Sequence, residues 1–404
     1  MKTFFLLTNV IDYSFKYTEI EQISKKYQQA YLINFEKTPM ALPANVKEFT
    51  LTLKDFNGQS VLMRNKKLFF YILLQDLLLR PFNWKYYKKL RTNISFLLNC
   101  IYFGEQLKAI IQKEKLNPND CIFLSFWLNN WSISLGVLKK QGFISKFFSR
   151  AHGFDLFEYR ELESGRIPYR LFELQTVDKV FSVSQNGVDY LKEKYPAYAD
   201  KIFCNYLGSE NGGVNPFDEQ KIFTIVSCAS TRSIKRIFLI PEIIKHCNFP
   251  IHWVHLGDEN LSSGDPSVPT YIKNKESLDH FPHVSFDCKG KLSTDEIFDF
   301  YTRNSVNLFI SVSETEGLPV SIMEAISFGI PVMATDVGGC KEIVTAQTGI
   351  LIPKDFDVKT VAEQINEFRN STQNKAEFRT GVREFWTHNF EVNKNYKEFF
   401  NLLE

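Results

Sequence analysis

Short apolar runs alternate with longer amphipathic segments along nearly the whole chain, and the alternation is interrupted once and then restarts. Such a pattern is the signature of α/β layers built on parallel sheets. The interruption is the polar, Gly- and Asn-rich stretch Leu207-Gly-Ser-Glu-Asn-Gly-Gly-Val-Asn-Pro216, which reads as a domain boundary. With 404 residues there is material for two cores of ordinary size. The expected organisation is one Rossmann-like domain over 1–207, a second over 217–383, and a terminal helical segment, 384–404.

Before the boundary, strands are expected at Thr3–Leu7, Ala30–Phe35, Cys121–Phe126, Phe147–Ala151 and Lys179–Val183. Helices are expected at Tyr17–Tyr27, Val61–Arg91, Asn93–Glu114, Trp131–Gln141 and Asn186–Tyr195. After it, strands are expected at Ile222–Cys228, Ile251–Leu256, Val306–Val312, Pro331–Ala334 and Gly349–Ile352. Helices there should cover Lys235–Cys247, Thr294–Asn304, Pro319–Phe328 and Val358–Asn370. Two open parallel sheets with one flexible crossing predict a cleft, with ligands at strand carboxyl ends and helix N-termini. No repeat of solenoid period is present.

The opening Met1-Lys-Thr-Phe-Phe-Leu-Leu imitates a signal peptide, but its apolar run is short, soon meets Asp12 and lacks a small-residue cleavage site, so a first strand is expected. Seven cysteines stand far apart with no C-x-x-C pair, which fits a reducing, cytoplasmic compartment. The net charge of +2 excludes little, but its distribution is uneven: Arg64 to Arg91 holds eight cations and one acid, Asp76. Those cations are interleaved with Phe, Tyr, Trp and Leu, which suits a helix lying on an anionic membrane. A solvated face whose aromatics belong to the core is the competing reading. The stretch around Phe69–Leu79 is too short to span a bilayer. Nucleic acid is a poor match, since no known module accompanies the basic patch.

Three constellations carry chemistry. In Ser313-Glu-Thr-Glu-Gly-Leu-Pro-Val-Ser-Ile-Met-Glu-Ala-Ile-Ser-Phe-Gly-Ile-Pro331, Glu316 falls in a turn and Glu324 in the second turn of the following helix. Glu324 is the one charged residue from Gly317 to Thr335. A carboxylate among Ile322, Met323, Ala325 and Ile326 needs strong partners. Ribose hydroxyls would serve, as would an ordinary buried Glu–Lys pair. The amides of Gly317, Leu318 and Val320 are placed to meet a phosphate or sugar oxygen, while Pro319 has none to give. Ser230-Thr-Arg-Ser-Ile-Lys-Arg236 puts Arg232, Lys235 and Arg236 at the end of a strand, where cations can stabilise a leaving diphosphate. Ser149-Arg-Ala-His-Gly-Phe-Asp155 delivers His152 to a Gly-containing turn, with Arg150 and Asp155 as companions.

The segment Glu316-x7-Glu324 within E-G-L-P-V-S-I-M-E-A, followed by G-I-P-V-M-A-T-D-V-G-G, resembles the donor signature of glycosyltransferase family 4. That resemblance implies the GT-B architecture, two Rossmann-like domains facing across a cleft, with the terminal helix 384–404 crossing back onto the first. It implies that Glu324 binds a nucleotide ribose, that Glu316 meets a hydroxyl of the donor sugar, and that Gly290 joins Gly317, Leu318, Pro319 and Val320 in holding the donor. It also implies that Arg232 and Lys235 bind the diphosphate, that His152 touches the sugar or the reacting centre, and that transfer retains the donor's α configuration without a metal. Gly165-Arg-Ile-Pro-Tyr-Arg170 resembles a segment of capsule and lipopolysaccharide members, in which Arg166 and Arg170 could meet an anionic acceptor. Val337-Gly-Gly-Cys340 is either a donor contact or a plain loop. The chain departs from the pattern at Thr8–Phe15, which lacks the usual glycine-rich loop; Glu19 and Glu21 stand as possible borders of the acceptor pocket.

The expected function is transfer from a nucleotide sugar, a uridine diphosphate (UDP) sugar first, to a lipid-linked glycan of bacterial surface polysaccharide at the inner face of the cell membrane. A catalytically silent glycan- or partner-binding subunit, or transfer to a small soluble acceptor, are the alternatives. Asp355-Phe-Asp357 has a metal-binding D-x-D form, but Asp357 is placed to cap the helix that follows. His252 and His255 fall on opposite faces of a strand and cannot share a metal. Domain closure is expected to bend near Gly208–Pro216 and Gly381–Trp386.

Overall fold

The computed structural model describes residues 2–9, 15–78, 87–160, 167–258 and 265–404. Two compact units emerge, Met1–Asn205 with Phe399–Glu404, and Tyr206–Glu398. The first holds a seven-stranded sheet: β1 (Thr3–Leu7), β2 (Ala30–Asn34), β3 (Val46–Thr50), β4 (Cys121–Ser125), β5 (Phe148–Ala151), β6 (Lys179–Ser182) and β7 (Ile202–Cys204). Their order is β3-β2-β1-β4-β5-β6-β7, parallel throughout. The second holds six: β8 (Phe223–Cys228), β9 (Ile251–Leu256), β10 (Val284–Cys288), β11 (Leu308–Ser311), β12 (Val332–Thr335) and β13 (Gly349–Ile352). These run β10-β9-β8-β11-β12-β13, again parallel. Both are Rossmann-like sheets. The chain order reverses between β1 and β4 in one, and between β8 and β11 in the other, the points at which such sheets open a crevice for ligands.

Central strands are apolar at consecutive positions because both faces are covered. Phe4, Phe5, Leu6 and Leu7 of β1 are all buried, so the apolar start is a core strand. The strands that the sequence did not announce, β3, β7 and β10, lie at or near sheet edges and are only partly buried. Solvent on one side lets polar residues intrude, and the apolar run disappears.

Helix boundaries differ from expectation in three places. The basic aromatic stretch contains the helix Gly58–Leu78, bent at Asn65, and a second helix starts at Leu90; residues 79–86, with Trp84 and Lys85, lie outside the described residues. The expected helix Lys235–Cys247 is a 3-10 turn, Ser233–Lys235, and a short helix, Leu239–Ile244, separated by Arg236 in a left-handed conformation. The helix after β11 is Val320–Ser327, with Pro319 at its N-cap rather than in its first turn. Among the described residues one helix, Leu90–Lys113, is long and apolar enough to cross a membrane. Its Leu97, Cys100, Ile101, Leu107 and Ile111 are wholly buried in the core of the first unit.

Glu19, expected as a border of the acceptor pocket, lies inside the first unit. It is fully buried and pairs with equally buried Arg150, Nε to Oε2 at 2.9 Å. Arg150 also donates to Asn205 Oδ1 at 3.0 Å and lies 3.8 Å from the centroid of Phe399. The terminal residues are held further by Lys179, whose ammonium donates to the Leu402 carbonyl. Removing one half of a buried ion pair strands the other charge, at a cost of about 3–5 kcal/mol. Glu19→Ala should therefore lower the urea-unfolding free energy by about that amount, and an unchanged midpoint would contradict the role given to the pair.

Candidate functional site

In the second unit the loops after β8 and β11, which flank the reversal of strand order, bring the sequence candidates together. Lys235 Nζ lies 2.5 Å from Glu316 Oε1, both side chains mostly buried. The two loops are stitched to each other: the Glu314 amide donates to the Ile234 carbonyl at 2.8 Å, and the Arg236 guanidinium donates to the Val312 and Ser313 carbonyls. Arg236 is thus an anchor, not a diphosphate ligand. From behind, Asp265 accepts the Ser233 amide at 2.9 Å, fixing the turn that presents Lys235. Arg232 remains exposed, with its Nε on Ser230 Oγ.

Gly338 shows why the V-G-G-C loop belongs here. Its φ is +56°, and a Cβ on it would stand 2.0 Å from the Glu316 carbonyl, so a side chain would push that turn away. The next amide, Gly339, donates to the Gly317 carbonyl at 2.8 Å. Among the described residues, the amides of Gly317, Leu318 and Val320 meet no protein acceptor. Gly290 lies past the end of β10 and bridges Gly257 past the end of β9.

Glu324 is half-buried on the helix Val320–Ser327. Neither an ion pair nor a hydrogen-bond donor meets its carboxylate among the described residues, so the Glu–Lys alternative does not hold. Desolvation alone pushes its pKa up to about 7. The buried Tyr301 and half-buried Cys228 stand close enough to feel its charge.

In the first unit His152 ends β5 and is buried, its ring 4.8 Å from Phe126 and 4.3 Å from Trp127. Burial, with Arg150 and Lys16 nearby, holds the imidazole well below its usual pKa, hence neutral. Asp155 and Arg170, expected as candidates for the acceptor side, are both buried and bonded within the unit. Asp155 accepts the amides of His152 and Leu128, at 2.8 and 2.7 Å, and burial raises its pKa to about 6. The Arg170 guanidinium, 1% exposed, is taken up by the carbonyls of Leu128 and Asp155 and by Glu173. Asp155 was a candidate as a companion of His152 and Arg170 through the resembling segment Gly165–Arg170; what sequence could not show is that both tie the turn after β5 to the loop after β4. Arg166 lies outside the described residues, as do 10–14 of the departing loop.

Asp357 caps its helix, accepting the Lys359 and Thr360 amides. His252 bonds Ser285 and His255 bonds Ser227, on separate faces. Sequence reasoning did not single out Asp265 or the rings of Trp127 and Phe154, which no local signal distinguishes; Gly338 lay in the V-G-G-C loop that it left open between donor contact and plain loop.

The fold is that of the GT-B glycosyltransferases, with a candidate anion-and-hydroxyl site at the switch point of the second sheet. Residues 272–385 match the family described as Glycosyl transferases group 1. The O-antigen biosynthesis glycosyltransferase WbnH of Escherichia coli is 33% identical over 99 residues, 24% of this chain and 29% of that protein. The putative teichuronic acid biosynthesis glycosyltransferase TuaC of Bacillus subtilis is 29% identical over 112 residues, 27% of this chain and 28% of its own. These curated relatives are matched over less than a third of their own length. The Anabaena protein Alr3699/HepE, solved with UDP and glucose, is similar over 100% of this chain and 99% of its own, with a TM-score of 0.67 and 15% identity. The lipopolysaccharide outer core galactosyltransferase WaaB is similar over 99% and 98%, with a TM-score of 0.66 and 15% identity.

The raised pKa of Glu324 makes a stability prediction. The fold prefers the protonated acid, so between the ordinary value of 4.5 and about 7 the folded state binds more protons than the unfolded one. Its contribution therefore falls as pH rises through that window. Glu324→Gln should be more stable than wild type at pH 8 by on the order of 2–3 kcal/mol, and indistinguishable from it at pH 4.5. Paired urea titrations at the two pH values check this; a variant less stable at pH 8 would refute it.

Proposed function

We propose that the chain is a glycosyltransferase that takes a sugar from a nucleoside diphosphate donor, UDP-linked by preference, and passes it to a glycan acceptor in surface polysaccharide synthesis. The observation that carries this is the arrangement at the β8–β11 switch point: a Lys235–Glu316 pair, unsatisfied amides at 317, 318 and 320, and a carboxyl at 324 with no internal counter-charge. Each fits one part of such a donor. Lys235, with exposed Arg232 beside it, takes the diphosphate and stabilises the charge that grows as the glycosidic bond breaks. Glu316, already pinned by Lys235, accepts from a sugar hydroxyl. Glu324 accepts from the paired hydroxyls of ribose, and hydrogen bonds to a charged acceptor contribute about 1.5–3 kcal/mol each. His152, neutral at the end of β5, serves as a hydrogen-bonding ring beside the reacting sugar. The names and functions of the relatives support the class of reaction, and HepE's UDP supports the donor.

Transfer is proposed to retain the donor configuration, with the leaving phosphate taking the acceptor's proton, and to need no metal. In a titration with UDP, Glu324→Gln should weaken binding roughly 10- to 100-fold. Lys235→Ala and Glu316→Gln should each lower donor turnover at least about 100-fold, measured well below the thermal midpoint of each variant. Full turnover in Glu316→Gln, or no UDP binding by wild type, would remove the assignment and favour a non-catalytic subunit.

A lipid-linked acceptor is proposed on the strength of the helix Gly58–Leu78. Beyond its bend, Phe70, Tyr71, Leu74 and Leu78 are 50, 45, 54 and 78% exposed. With Lys67 they fall three, four, seven and eleven residues apart, on one helical face, and Lys66 and Lys88 add charge nearby in the sequence. That stripe suits the interface of an anionic bilayer. Wild type should float with vesicles containing phosphatidylglycerol and not with neutral ones. A variant with Phe70, Leu74 and Leu78 changed to Ser should stay at the bottom; equal flotation of both would defeat the membrane proposal.

A further inference from the structure

The first unit has its own switch point, between β1 and β4, and the loop that follows β4 there carries an aromatic pair, Phe126 and Trp127. From the adjacent strand end, His152 and Phe154 close over them. His152 stacks on Phe126 and meets Trp127 at a tilt, and Phe154 lies 4.5 Å from Trp127 between ring centroids. Three of these rings are buried, but Phe154 is 55% exposed.

An exposed phenylalanine on a loose loop would mean little. This one is held out. Asp155 locks the turn by accepting the His152 amide at 2.8 Å, and locks the turn to the β4 loop through the Leu128 amide at 2.7 Å. Arg170 fastens the same two segments from the other side, by the Leu128 and Asp155 carbonyls. With both neighbours fixed and Trp127 behind it, the ring has no route into the core. Five residues on, Tyr159 is also exposed, at 58%, and rests on Phe157 and Tyr190. Two rings presented by one segment beside a sheet's ligand-binding end need a ligand with apolar faces and polar edges.

We propose that Phe154, backed by Trp127, is a stacking platform for a pyranose ring of the acceptor glycan. One face of a pyranose presents C–H groups, which the negative face of an aromatic ring attracts, while the hydroxyls at its rim stay in water. A nucleobase would also stack, but the donor's nucleoside is assigned to the second unit through Glu324. The inference rests on the proposed transferase reading for the word acceptor, and its test separates the two.

The probes are the methyl glycosides of glucose, galactose, mannose and N-acetylglucosamine at millimolar concentration, read by saturation-transfer NMR on the full chain. Wild type should transfer saturation to the ring C–H protons of at least one of them. Phe154→Ala should lose at least about fivefold of that signal, Phe154→Tyr should keep it, and both should melt with wild type, since the side chain is mostly exposed. A UDP titration on the same samples should be the same in all three. Undiminished transfer in Phe154→Ala, or none from any glycoside to wild type, overturns the platform while intact UDP binding leaves the donor assignment standing. Glycoside binding that depends on Phe154 without UDP binding would do the reverse.

Discussion

A carboxyl group that the fold neither pairs nor exposes is costly, and the second unit is arranged around one. Glu324 occupies a helix whose other core positions are apolar, and desolvation alone raises its pKa to about 7. An engineered core would place an amide or a leucine there. A group that costs folding energy in every molecule persists where an external partner repays it, and paired hydroxyls at the switch point of a parallel sheet are such a partner. Lys235 and Glu316 differ: they satisfy each other, so their half of the site is assembled in advance.

The charged residues that look catalytic in sequence divide by what they bond. Arg236, Arg170, Asp155 and Asp265 spend their polar atoms mainly on backbone amides and carbonyls of neighbouring loops. They hold turns. Because parallel strands deliver each functional loop separately, such cross-loop bonds are what fix the loops against one another within each unit.

The fold was largely legible because burial on both faces writes itself as consecutive apolar residues, as in Phe4–Leu7. It failed where a strand has a wet side, at Val46–Thr50 and Val284–Cys288. The helix expected to begin at Lys235 failed for another reason. Its start is governed by Asp265, Val312 and Ser313, residues distant in sequence, which pull Ser233–Arg236 into a tight turn. In the site, the spacing of Glu316 and Glu324 was readable, since a lone acid in an apolar helix is conspicuous. The accessibility of Arg170 was not, because nothing local distinguishes an arginine that binds an anion from one that staples two loops.

Phe399, Phe400 and Leu403 complete a core whose other parts precede residue 206. On the ribosome, where domains form in the order of their emergence, the first unit is the first to be made and the last to be finished. Until the final helix appears, the Arg150–Glu19 pair lacks its aromatic cover and β6 lacks Phe399 against Phe181. The nascent chain must therefore carry an unsealed first half through the whole synthesis of the second, until the segment from Phe399 onward arrives to close it.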